Sequence, residues 1–182
     1  MKCPKCGLIV TDMIPKCKGC GFQIQNLDRK LKNPPKRTGF MNDFANVLSK
    51  EEKDWFEIRL SEFHQKHGGE LVIITLKSTK PIKPSEYVFW LFNRWNIGGE
   101  KNAGLMVLLA ISERRIESEV GYSWEHIISD VESGEVLDSY VVPLLKDGKV
   151  HDALKAGIEQ ILKIIEEYFS NPPKDKSEKD DI

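Results

Sequence analysis

No apolar run in this 182-residue chain approaches the roughly 20 residues needed to span a bilayer. The opening Met1-Lys2-Cys3-Pro4-Lys5-Cys6 has no apolar signal-peptide core behind it, so the expectation is a soluble, cytoplasmic protein with no membrane span. Cysteine is missing after residue 20, which excludes a disulfide scaffold for the body of the chain. There is no G-x-x-x-x-G-K-[ST] phosphate loop, and no serine–histidine–acid constellation can be assembled from the residue order. What is present suits a globular chain. Hydrophobic residues at 40% and charged residues at 30% exclude wholesale disorder and collagen, and the length allows one full-sized domain with a small appendage.

The near-zero net charge of −1 conceals an asymmetry. Residues 1–39 hold nine Lys/Arg and two acids, leaving 18 basic and 26 acidic residues for the remainder. A basic head on an acidic body predicts either two units with different partners or attraction between the head and its own body.

All four cysteines, Cys3, Cys6, Cys17 and Cys20, form a C-x2-C-x10-C-x2-C pattern, with Gly7 and Gly21 directly after the second cysteine of each pair. Glycine there permits a turn through positive φ, so that amide N–H groups can face the sulfurs. Paired disulfides would require an oxidising compartment, and a redox Cys3-Pro4-Lys5-Cys6 would have to open a helix in a βαβ unit. The spacing favours a zinc ribbon over residues 1–22, with Zn2+ as a structural cofactor because four thiolates leave no open coordination position. Such a short segment has no core of its own, so the metal would supply most of its folding energy. The basic charge of residues 1–39 offers nucleic acid as a partner, although Phe22 is the only aromatic there and a stacking platform is missing. Residues 23–39, polar and basic around Pro34-Pro35, are expected to be a linker, since the prolines disfavour helix.

The body alternates between two hydrophobic periods. Ser49 with Glu52 three residues on is a capping-box signature, Phe56, Leu60 and Phe63 follow at helical spacing, and Gly68-Gly69 ends the helix. Glu70–Leu76 and Leu105–Ile111 are apolar runs short enough to be strands buried on both faces. Between them Val88, Leu91, Phe92 and Trp95 mark a helix face. Ser112–Arg115 is a hairpin connection into a third strand with alternating Ile116, Ser118 and Val120. A helix within 124–145, broken near Ser133-Gly134 and Pro143, precedes a final one with Leu154, Ile158, Ile161, Leu162, Ile165 and Phe169 on one face. A disordered charged tail is expected over 170–182. The fold class is α/β, a three-layer α/β/α sandwich with a mixed sheet spanning 40–169, and ligands in such sheets tend to sit beyond the carboxyl ends of the strands.

Several ordered motifs carry a resemblance. Phe40-Met-Asn-Asp43-Phe-Ala45-Asn-Val-Leu48-Ser49 is similar to the opening V-N-D-x-A-x-x-L-S of the TPM-domain family, the thylakoid-lumen acid-phosphatase-like group. Trp95-Asn-Ile97-Gly98, Gly104–Ala110 and Glu119-Val120-Gly121-Tyr122-Ser-Trp-Glu125 resemble its W-G-I-G, G-V-L-L-L and E-V-G-Y-G-L-E. Pro143 through Ala153, with Gly157 to Ile165, fits its P-x-x-x-x-G-x-x-x-x-A-L-x-x-G ending. The resemblance implies an α/β/α domain with an acidic cleft, calcium or another divalent ion in some members, and weak phosphate-ester hydrolysis in others. Family roles are otherwise varied, often tied to membranes or protein quality control.

The candidate cleft ligands are Asp43, Asn102, Glu119, Glu125 and Asp130, since Ca2+ or Mg2+ takes clustered oxygens, and such an ion could bridge a phosphate and a water. Asn102-Ala103-Gly104 stands where the family reads D-[DN]-G, which removes a full negative charge, and Ser123-Trp124 replaces G-L. The plainer assignments are a turn cap for Asp43 and solvated helix charges for Glu125 and Asp130. His64 and His67, three apart, suit a polar helix terminus, while His126 and His151 have no evident partners in the sequence. Three functions follow as expectations. The first is a protein-interaction or quality-control module with a divalent-ion site. The second is a low-efficiency metal-dependent phosphatase, and the third is a nucleic-acid-associated factor.

Overall fold

The computed structural model describes residues 3–8 and 16–172. Four strands make one sheet in the order β1 (Met41–Asp43), β2 (Glu70–Leu76), β3 (Gly104–Ala110), β4 (Arg115–Val120). The first three are parallel and β4 runs antiparallel to β3. All seven residues of β3 are buried, as an apolar run with no polar alternation requires when both faces are covered.

The strand alternation divides the core in two. Leu71, Ile73, Leu105, Val107 and Leu109 face one side, with α2 (Lys50–His67), α4 (Asp130–Val136) and α6 (Val150–Ser170) packed over them. Val72, Ile74, Met106, Leu108 and Ala110 face the other, under α3 (Pro84–Arg94). The helix α2 begins at the expected capping box, with the Glu52 N–H donating to Ser49 Oγ and the Ser49 N–H donating to Glu52. It ends at Gly68, whose φ of 72° is a left-handed cap. Arg59 ties α2 to α6 through Glu159 and Glu166 at 3.2 and 3.3 Å.

The structure departs from the sequence expectations in four places. Residues 23–39 are not all linker: Gln25–Leu31 is a short helix, α1, completed before Pro34 and held by Leu27, which is buried in the α3-side core. The three-residue edge strand β1 is too short to leave a periodic signal. Neither Gly134 nor Pro143 breaks the segment after Ser129. Leu137–Val141 forms a π-helical turn and α5 (Val142–Lys146) continues directly, with Pro143 in its first turn, where a missing N–H is tolerated. Phe169 is 40% exposed although the residues expected to share its face are buried. Of the tail expected over 170–182, residues 173–182 lie outside the described residues.

Candidate metal centre and loop cleft

The two cysteine turns are built alike. The Cys3 N–H donates to Leu8 O and the Gly7 N–H to Cys3 O, both at 2.8 Å, and Cys17, Phe22 and Gly21 repeat the pattern at the same distances. Gly7 and Gly21 sit at φ of 74° and 71°, the left-handed region anticipated for them. The turns face each other so that Cys3 Sγ lies 3.7 Å from Cys20 Sγ, and Cys6 Sγ lies 3.7 Å from Cys17 Sγ. All four sulfurs fall within 4.8 Å of one another. Sulfurs at the corners of a tetrahedron around Zn2+, with bonds of about 2.3 Å, would be about 3.8 Å apart. A disulfide would need about 2.05 Å. The arrangement can therefore hold a tetrahedral metal ion such as zinc.

Amide groups stabilise negative sulfur here. The Cys20 and Gly19 N–H groups hydrogen-bond Cys17 and, with Cys20 the larger influence, bring its thiol down to about 7. Burial instead pushes the Cys3 thiol up to about 12, against the pull of the Lys5 and Cys6 amides. A divalent cation among the sulfurs would relieve the cost of gathering several thiolates in one place.

The head is not suspended on a tether. Cys3, Cys17, Phe22 and Leu27 share one apolar cluster with Phe89, Trp90 and the α3 face of the sheet. Phe22 meets Phe89 edge to face at 5.8 Å. Trp90 Nε1 and Arg94 Nε both donate to Asp28 Oδ1, at 2.9 and 2.8 Å, and Trp95 Nε1 donates to Pro35 O at 2.8 Å. Arg94 lowers the Asp28 carboxyl from its usual range, with Trp90 assisting. The Asp28–Arg94 pair joins an acid of the head to a cation of the body, the reverse of the attraction expected between a basic head and an acidic body. Arg37, paired with Glu70 at 3.2 Å, has the opposite sense.

The acidic candidates separate into two places. Asn102 lies just before β3, Glu119 is the penultimate residue of β4, Glu125 follows the short turn after β4, and Asp130 opens α4. Antiparallel β4 carries Glu119 opposite Met106, and the Val120 N–H donates to Asp130 Oδ1 at 3.1 Å. The loop from Asn96 to Ala103 is fixed there by Glu70, which accepts the Gly98 N–H at 2.8 Å. Asn102 itself is left-handed at φ 49°, and Gly121 passes so close to its carbonyl that a Cβ would lie 2.1 Å away. Asn102, Glu119, Glu125 and Asp130 all interact with neighbouring groups.

Asp43 does not join them. Its register row runs through Thr75, Leu109 and Ile116, at the far end of the sheet and on the opposite edge strand. There it takes the plainer role, accepting the Val47 and Leu48 N–H groups at 3.2 and 3.1 Å and a hydrogen bond from Thr75 Oγ1. Among the described residues, the four cysteines are the group of three or more Cys, His, Asp or Glu side chains with ligand atoms within 4.8 Å. A cation at the loop cleft would thus draw on amide, carbonyl or water oxygens as well as carboxylates. The loops also lie at the amino ends of β2 and β3, not the carboxyl ends that parallel sheets generally favour.

His64 and His67 pack at the end of α2, as a polar helix terminus would. His64 Nδ1 lies 2.9 Å from Gly69 O, closing the helix end, and His67 stacks on Phe169 at 5.0 Å. Sequence reasoning missed Glu57, which accepts the Phe40 and Met41 N–H groups at 2.9 and 2.8 Å and so positions β1. Its partners are backbone amides, which no side-chain pattern could announce.

Comparison with known proteins gives the same architecture. The N-terminal domain of a P. gingivalis protein aligns with a TM-score of 0.69 and 24% identity, covering 73% of this chain and 85% of that one. The N-terminal domain of the cg2496 protein of Corynebacterium glutamicum aligns at 0.57 with 13% identity, over 72% of this chain and 83% of that one. The BA42 protein of the psychrophilic bacterium Bizionia argentinensis aligns at 0.57 with 16% identity, over 69% and 86%. A comparison with curated protein sequences finds no match. The TPM domain family model matches residues 41–164, and the chain belongs to the TPM-domain family.

Proposed function

We propose that this protein is a cytoplasmic protein-interaction module, in which a zinc-bound head is fused to a TPM domain and presents a cationic surface to an acidic partner. The carrying observation is the sulfur geometry, two Sγ pairs at 3.7 Å in a head docked on α3. Around that head Lys5, Lys16, Lys18, Arg29, Lys30, Lys32 and Lys36 are all exposed, cations suited to an acidic protein segment. Purified full-length protein should contain one zinc per chain by elemental analysis. It should bind an immobilised poly-glutamate peptide in a salt-sensitive manner, and both properties should be lost in Cys6→Ser/Cys17→Ser. Zinc-free protein with the same fold and the same peptide binding would overturn the reading. A stronger, salt-dependent retention of short RNA or DNA would replace the acidic protein by nucleic acid.

A second reading, weak metal-dependent phosphate-ester hydrolysis, is supported by the position of Asn102 just before β3 and of Glu119 near the end of the adjacent β4, where Asp130 accepts the Val120 N–H. A Ca2+ or Mg2+ ion there would draw on carboxylates among Glu119, Glu125 and Asp130 and on the Asn102 amide oxygen, with water completing the shell, since these carboxylates do not form a ready three-ligand cluster. Turnover of an aryl phosphate that requires added metal and disappears in Glu125→Gln would support it; no turnover with metal present would dismiss it.

A further inference from the structure

A cavity of about 520 Å³ opens at the carboxyl end of β3, between the β3–β4 turn and the corner joining α5 to α6. It lies on the α6 side of the sheet, away from the cysteine head. From the loop cleft it is separated by the seven-residue length of β3, about 20 Å. Its apolar lining comes from Leu109, Ile111, Ile116, Val142, Leu145 and Val150. Ile111 is 37% exposed, an apolar side chain left open at this wall. The charged side chains lining it are Arg114 and Lys146, both cations. The acid next to Arg114 is turned elsewhere, since Glu113 accepts hydrogen bonds from Ser78 Oγ and the Thr79 N–H. Asp147, the C-cap of α5, is exposed and is not part of the lining.

Arg114 holds its place against the backbone's preference. At φ 50° it occupies the left-handed position of the turn, where its N–H donates to Ile111 O at 3.1 Å. Glycine meets that conformation without steric cost, whereas a residue with a Cβ does not. Folding alone would favour glycine here, so an arginine among the residues lining the cavity points to a use for its side chain.

We propose that this cavity binds a free aliphatic carboxylate, its chain against Leu109, Ile116, Leu145 and Val150 and its carboxylate between Arg114 and Lys146. An apolar pocket of this size with a few polar groups in its lining is the usual form of a small-molecule site, and with Arg114 and Lys146 as the charged lining residues the charge here selects an anion.

Octanoate, kept well below its micelle-forming concentration, is the probe, titrated into the full-length protein and followed by amide NMR and calorimetry. Saturable shifts are expected at Ala110, Ile111, Leu145, Gly148 and Val150. Arg114→Gly and Lys146→Ala should each weaken binding about tenfold, the size of one charge-assisted contact. The thermal midpoint of Arg114→Gly should stay level or rise, because the left-handed strain is relieved, so its loss of binding could not be attributed to unfolding. Octyltrimethylammonium, equal in chain and opposite in charge, should not saturate. Absent or scattered shifts, undiminished binding in Arg114→Gly, or equal binding of the ammonium probe would each overturn the proposal.

Discussion

Glu117 lies on β4 with its carboxyl pushed above the ordinary range, chiefly by burial and further by Asp138, while Arg115 at 3.9 Å pulls the other way. A group that holds its proton more tightly when folded contributes stability below its unfolded pKa and loses it as pH rises through the folded value. Glu117→Gln should therefore raise the thermal midpoint at pH 7 and make no difference below about pH 4, where both states are neutral. Equal midpoints for the two proteins at pH 7 would refute that assignment. The residue scale is also where sequence is most selective in what it discloses. Ser49, Glu52, Gly7 and Gly21 were legible because caps and left-handed turns need particular residue types. Glu57 and the distant placement of Asp43 were not, because a carboxylate that accepts backbone N–H groups looks like any other acid until the chain is folded.

Among the elements, α1 is the informative one. Seven residues are too few for a helix to persist alone in water. It exists because Leu27, 1% exposed, inserts against α3, and because Asp28 accepts from both Trp90 and Arg94. Leu27→Ala should cost about 2–5 kcal/mol, the range for a truncated core leucine. Its signature should be a red shift in tryptophan emission as Trp90 loses its cover; an unchanged spectrum and midpoint would mean α1 is dispensable. The strands β2 and β3 and the helices α2, α3 and α6 were readable because their periods run for many residues. Both β1 and the π-turn at Leu137–Val141 were opaque, being shorter than any period that could declare them.

For the whole molecule, the question is whether head and body fold as one. Cys3, Cys17 and Phe22 lie in the same core as Val72, Ile74 and Met106, so metal bound to the sulfurs is linked to the stability of the sheet. Chelation should lower the midpoint of a single cooperative transition, and added zinc should restore it. A body transition that stays put while only the head melts would show the two to be independent. The same scale sets the layout of sites. The antiparallel turn into β4 carries Glu119 and its neighbours to the amino end of β3, leaving the carboxyl end to the cavity beside Arg114.

The amino-acid order by itself determined the four-sulfur cluster, the buried central strands and the family's motifs, since each is local in spacing or continuous in hydrophobicity. Tertiary structure alone decided that the head docks on α3, that Asp43 stands apart from the other acids, and that a cation-lined cavity opens beyond β3. Those facts depend on strand direction and on contacts between residues far apart in the chain, neither of which is encoded in local periodicity.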